Sequence, residues 1–202
     1  RDSEDMSASD KARYAGIIHS ETLRLTRLLD DLLDLSVLED GRVSLNLSRK
    51  SLKDVLDASV ASLGLIEGSG LKIQRNETRE NIEIMSDVDR LAQVFINIIS
   101  NAQKYCDAVE PRLSIKVFQS DQQVTVDFID NGSVIAVEMR DVIFEKFSRV
   151  GQTKAGGAGL GLAICREIMT RLGGEVIYLP GQGGTAFRVL LPLDVTQQIE
   201  TT

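Results

Sequence analysis

Hydrophobic residues at three- and four-residue steps mark the first element of this chain. From about Ser9 to Asp40, Ile17, Ile18, Leu25, Leu28, Leu29, Leu32 and Leu35 recur at helical spacing, with Arg24, Arg27, Asp30, Asp31 and Asp34 between them. The pattern predicts one long helix that Gly41 stops. A lone helix does not cover a stripe this long, so partner helices are expected, in a hairpin or between two chains. After Gly41 the pattern alternates through RVSLNLSRKSL, then returns to helical spacing from about Leu52 to Leu65 and breaks at the turn-rich EGSG. Two short strands, LKIQRN and NIEIMS, precede a helix from about Asp87 to Cys106. LSIKVFQ and VTVDFID flank SDQQ as a hairpin, and VEMRDVIFEKF reads as a short helix. A glycine-rich stretch, part loop and part helix, leads to closing strands in EVIYLP and TAFRVLLPL. The interleaving predicts an α+β fold: a two-layer α/β sandwich, one mixed sheet with helices on one face, preceded by a long helix. The expected divisions are 1–45, 46–195 and a tail at 196–202.

Composition narrows the function classes. The chain has 202 residues, 43% of them hydrophobic, enough for one ordinary domain and an appendage. A net charge of −7 gives no general pull toward nucleic acid or an acidic membrane face, so an anionic ligand needs a local site. Two cysteines and one histidine exclude an ordinary zinc site. Cys106 and Cys165 are expected to be buried reduced thiols in a cytoplasmic setting. No apolar run approaches the ~20 residues of a membrane span, and no direct membrane contact is expected. The first residue is arginine, and the sequence reads as a piece of something longer that could be anchored upstream.

The chemistry gathers in three places. GGAGLGLAI sets Gly157, Gly159 and Gly161 at the mouth of an amphipathic helix, where free N–H groups and the helix dipole suit phosphate; a plain flexible loop gives the same letters. It lacks the Gly-Lys-Ser/Thr of a Walker A loop and the spacing of a dinucleotide fold. FIDNG ends a strand at Asp130, either a simple turn or an acceptor for an exocyclic amine. The helix FINIISNAQKY carries Asn97 and Asn101 on one face, followed by Lys104. These asparagines are either hydrogen-bonded core amides or, for Asn101, an oxygen ligand for Mg2+.

In order along the chain, RLAQVFINIISNAQKY, DNGSVI, IFEKFSRV, GGAGLGLAI and GGTAFRVLLPL resemble the N, G1, F and G2 boxes and closing strand of sensor histidine kinases. LRLTRLLDDLLDLSVLEDG is similar to the second helix of that family's dimerisation and phosphotransfer hairpin. The resemblance implies the Bergerat-type ATP-binding fold shared with type II topoisomerases and heat-shock chaperone ATPases. It implies ATP and Mg2+ as ligands, a homodimer through a helical bundle, and a response-regulator receiver domain as partner. Carried over, it makes Asn101 the Mg2+ ligand and sets Asn97 where related ATPases keep a catalytic glutamate. Lys104 and Tyr105 would touch phosphate, ribose or the lid. Asp130 would bind the adenine amine, Gly132 would give the base room, and Thr185 would support it. Gly157, Gly159, Leu160 and Gly161 would wrap the phosphates, Phe144 and Phe147 would anchor the lid, and Arg149 and Lys154 would reach the γ-phosphate.

Two departures stand out. Val134 occupies the second glycine of the G1 box, and His19 is followed by Ser20, without the acidic neighbour and downstream proline of a phosphoacceptor. The chain is therefore expected to be the catalytic half of a histidine kinase whose acceptor helix is absent. Its rivals are a degenerate ATP-binding or dimerisation module without transfer, and an ATPase of the same fold.

Overall fold

The structure, a computed structural model, describes residues 7–40, 44–64, 70–148 and 159–196. Helix α1 (Ala8–Glu39) opens it, with Ser7 accepting from the amide of Asp10 as its N-cap. The expected stripe divides in two. Leu35 and Leu38 are buried, and Leu32 packs against the same core. By contrast Ile17, Ile18, Leu25, Leu29 and Leu33 are each at least 50% exposed, so the upper helix has an apolar face that the described residues do not cover.

The lower end of α1 belongs to the following domain. Asp34 accepts from Arg90 and Gln93 at 2.6 Å each, Glu39 pairs with Lys146 at 2.5 Å, and the Arg171 guanidinium donates to the Leu38 carbonyl. Burying two leucines contributes about 3–6 kcal/mol, more than the half-exposed ion pairs do.

Strand β1 (Leu47–Ser51) and helix α2 (Leu52–Ser62) come next, then β2 (Lys72–Arg75), β3 (Glu83–Asp87) and α3 (Val88–Tyr105). The hairpin β4 (Arg112–Gln119) and β5 (Gln123–Asp130) forms as expected. Helix α4 (Gly161–Arg171), β6 (Glu175–Tyr178) and β7 (Ala186–Pro192) complete the order.

The strands form two sheets where the sequence order suggested one. The larger sheet runs β2-β4-β5-β7-β6, parallel only between β2 and β4, while β1 and β3 pair apart from it. Asp87 explains part of this separation. It caps α3 through the amide of Arg90 and accepts from Asn46, which ties the end of β3 to the chain entering β1. The short helix expected over VEMRDVIFEKF is two separate 3-10 turns, Val137–Met139 and Val142–Phe144. Helix α2 ends at Ser62, and Gly41 and Leu65 lie outside the described residues.

Two periodicities position the chemistry. In α3, Leu91, Val94, Phe95, Ile98, Ile99 and Ala102 are buried, leaving Asn97, Asn101 and Lys104 on the opposite face. In β5 the period of two buries Val124, Val126, Phe128 and Asp130 alike. The last of these carries a carboxylate to the point where an apolar row would otherwise end. Phe95 and Phe128, with ring centroids 5.3 Å apart, pack the helix on the strand just behind that point. Among the described residues no helix is long and apolar enough to cross a membrane.

Candidate nucleotide site

A cavity of about 320 Å³ opens where the ends of β5 and β7, the outer face of α3 and the N-terminus of α4 converge. It brings together Asn97, Asn101, Lys104, Tyr105, Asp130, Gly159, Leu160, Gly161 and Thr185. Phe128, Phe187 and Ile143 give it an apolar wall that a planar base could lie against.

Asp130 is buried at the strand end. Its Oδ1 accepts from the amides of Gly132 (2.9 Å) and Thr185 (3.1 Å), and Oδ2 has no hydrogen bond among the described residues. Burial pushes its carboxyl pKa up from the ordinary 3.8, against the pull of those two amides. The turn after it is braced from outside. Asp107 accepts from the Ser133 amide (2.7 Å) and hydroxyl (2.6 Å), and the Asn131 side chain bridges Arg112 and Glu110. Thr185 donates its hydroxyl to the Ser133 carbonyl at 2.7 Å, so it locks the turn to β7.

On α3, the Asn97 side chain donates to the Gly161 carbonyl at 3.3 Å, joining the helix to the start of α4. Asn101 makes no hydrogen bond among the described residues, which leaves its amide oxygen available. Lys104 stands at a surface position by area, yet the concave wall desolvates its ammonium. That burial, and then Arg27, lower its pKa, while Asp31 opposes the shift. Helix α4 begins at Gly161 with no side-chain cap on its first amides, and no acidic residue in its first turn. Those N–H groups are free to meet an anion.

Two glycines are required by close approach. Gly159 has φ 74°, and a Cβ there would lie 2.5 Å from the Ser148 carbonyl oxygen. Ser148 and Gly159 thus approach each other closely. A Cβ on Gly184 would collide with the carbonyl of Asp130.

Residues 86–195 match the profile of the "Histidine kinase-, DNA gyrase B-, and HSP90-like ATPase" family. This chain belongs to that family. It is 31% identical over 194 residues to the sensor protein KdpD of Escherichia coli K12, covering 95% of this chain and 21% of KdpD. It is 32% identical over 188 residues to the signal transduction histidine-protein kinase BaeS of the same organism, covering 91% of this chain and 40% of BaeS. The chain therefore spans less than half the length of both relatives. Among solved structures, full-length ShkA in complex with AMPPNP superposes with a TM-score of 0.77 at 25% identity, over 93% of this chain and 40% of ShkA. Histidine kinase ThkA in complex with the response regulator TrrA gives 0.74 at 21% identity, over 96% of this chain and 55% of ThkA.

Some expected site residues of this ATPase-family chain lie off the cavity. Gly132 faces Asp107 and Cys106, where a Cβ would come within 3.0–3.1 Å, so it shapes the turn and does not line the wall. Phe144 is a core residue, edge-on to Phe187 at 6.1 Å with the Arg166 guanidinium over its ring. Phe147 is 58% exposed, with a left-handed φ of 62° next to Gly159. Arg149, Lys154 and Gly157 lie outside the described residues. Val134 lines the cavity with its side chain 56% exposed, at the mouth. Cys165 is buried as expected, with its thiol pushed up to about 12 by desolvation, but Cys106 is only half-buried, its Sγ 3.4 Å from Asn131 Oδ1.

The contributors that sequence reasoning missed include Phe187, Ile143, Ser148 and Asp31. The β7 alternation pointed to Phe187 as a core residue. No motif or pattern singled out Ser148 or Asp31.

Proposed function

We propose that this chain is the ATP-binding catalytic part of a sensor histidine kinase. It transfers the γ-phosphoryl of ATP to a histidine on a helix outside this chain, for relay to a response-regulator aspartate. The observation that carries the reading is the convergence of an open Asp130 Oδ2, the Asn97–Asn101–Lys104 face and an uncapped helix N-terminus on one cavity. Asp130 Oδ2 accepts the exocyclic amine of adenine, against Phe187 and Ile143. The first amides of α4 and the backbone at Gly159 receive phosphate oxygens, with Lys104 adding positive charge. Arg149, Lys154 and Gly157 are candidates for the γ-phosphate end.

Mg2+ fits the donors present. Among the described residues no group of three His, Cys, Asp or Glu could hold a metal alone, and the Asn101 amide oxygen is the side-chain donor that would hold the ion together with phosphates and water. When bound, it neutralises charge on the phosphates. Asn97 is a neutral amide already engaged by α4, which favours positioning for transfer to another protein group over activation of water.

The exposed stripe Ile17, Ile18, Leu25, Leu29 and Leu33 suits a second copy of the hairpin helix in a homodimer. In this reading the chain works in the cytoplasm. His19 is not the acceptor. It lies 12 residues before Asp31 on one helix, roughly 18 Å from the cavity along the helix axis. Incubation with γ-labelled ATP tests the proposal: the chain alone takes up no acid-labile phosphate, and transfer appears when an upstream histidine-bearing helix is supplied. Label on the isolated chain that vanishes in His19→Ala would refute it.

A further inference from the structure

One wall of the cavity comes from outside the ATPase-family segment. Asp31, on α1, lines it beside Asn97, Asn101 and Lys104, and the family match begins only at residue 86. The placement follows from helix geometry. Residues 31, 34, 35 and 38 share one face of α1, on which Leu35 and Leu38 are buried in the catalytic core and Asp34 is held by Arg90 and Gln93. Docking that face sets the half-buried Asp31 carboxylate at the cavity, one turn before the clamp. Its surroundings are charged on every side. Lys104 of α3 and Arg27 of α1 attract it, and Asp30 and Asp34 repel it. Lys104 in turn forms no ion pair within 4 Å among the described residues; it lines the cavity with Asp31 as its opposing charge and with Arg27 of α1 as a second cation acting on it.

We propose that Asp31 is a further determinant of the nucleotide site: its carboxylate competes with nucleotide phosphate for Lys104, so triphosphate binding and the seating of α1 oppose one another. The inference rests on the nucleotide reading above. The differential contact is explicit. With α1 seated, the Asp31 carboxylate stands in the wall that would face bound phosphates, while Arg27, the cation of α1 that acts on Lys104, does not line that wall; with α1 lifted, the carboxylate is withdrawn and no longer offsets Lys104. By linkage, whatever loosens α1 raises affinity for ATP, and ATP loosens α1 by the same factor. Adenosine carries no phosphate and is indifferent to Asp31. The upper half of α1 is the segment whose apolar face lies open, so a movement imposed there would reach the nucleotide through this carboxylate.

The test uses the full chain in titrations with Mg-ATP and with adenosine, comparing the unaltered protein with Asp31→Asn and with Asp30→Asn. Asp30 is exposed and carries the same charge change one residue away. Asp31→Asn is expected to bind Mg-ATP about tenfold more tightly, with adenosine affinity and the Asp30→Asn variant unchanged. Amide hydrogen exchange across residues 28–38 is expected to rise with saturating Mg-ATP and to stay level with adenosine. ATP affinity that is unaltered or weaker in Asp31→Asn overturns the inference, the weaker case making Asp31 a metal-side ligand. Protection of 28–38 by ATP also overturns it. Binding of ATP and adenosine to the unaltered chain judges the nucleotide reading separately: if neither binds to any variant, that reading falls and takes the inference with it.

Discussion

Asp130 and Thr185 hold each other across two strand ends: the Asp130 amide donates to the Thr185 carbonyl at 2.9 Å, and the Thr185 amide returns a bond to Asp130 Oδ1 at 3.1 Å. One carboxylate oxygen is consumed by the fold and the other is left for a ligand. The division explains how a buried acid can be both structural and available. It also separates what a substitution at this position does to each function.

Asp130→Asn keeps the shape and the Oδ1 contacts but removes the charge from Oδ2. ATP affinity is expected to fall by a factor corresponding to about 1.5–3 kcal/mol, the range for a hydrogen bond to a charged group, while GTP, which lacks the adenine amine, changes little. Parallel titrations check it. Equal, small losses for both nucleotides would remove Asp130 from base recognition.

The same carboxyl gives a pH dependence. Its folded pKa is raised above 3.8 by burial, so the ionised form is disfavoured in the folded protein. The group's contribution to stability is therefore full below 3.8 and lost as pH rises through the raised value. Ligand binding runs the other way, because the ionised oxygen is the acceptor. ATP affinity is expected to fall on acidification from a pH above the ordinary carboxylate range, and this fall should be absent in Asp130→Asn. A titration series between pH 4 and pH 7 decides it.

Asn101→Ala is expected to abolish the Mg2+ dependence of ATP binding and leave the weaker metal-free contact largely intact. Binding measured with and without Mg2+ is the check. A variant that still gains affinity on adding Mg2+ would move the metal elsewhere.

Stability has a separate weak point in Glu80, fully buried and doubly bonded by Arg75, which also pairs with Asp57 at 2.8 Å. Glu80→Ala leaves a largely buried guanidinium short of its main partner and is expected to cost about 3 kcal/mol. Denaturant unfolding reads this directly, and a loss below 1 kcal/mol would mean Asp57 and solvent compensate.

Much of the site was legible in the sequence because it obeys local periods. The 3.6-residue period of α3 separates Leu91, Val94, Phe95 and Ile98 from Asn97 and Asn101, and the two-residue period of β5 delivers Asp130 to the core face. The glycines announce close approach, and Gly159 and Gly161 do stand at the cavity. The rest depended on which elements meet. Partition of the strands into two sheets turns on pairing partners distant in sequence, such as Leu47 with Asp87 in one sheet and Gln123 with Pro192 in the other, and no local pattern encodes that choice. Phe144 and Phe147 share one short motif, yet one is packed against Phe187 and the other exposed, because two 3-10 turns replace the helix expected there. Asp31 reads in sequence as one more solvated charge between leucines. It becomes part of the cavity only when Leu35 and Leu38 dock α1 on α4 and bring it to the same cavity wall as Lys104, 73 positions away in sequence. Short-range periods fix which face of an element is apolar; only the packed core decides what the polar face meets.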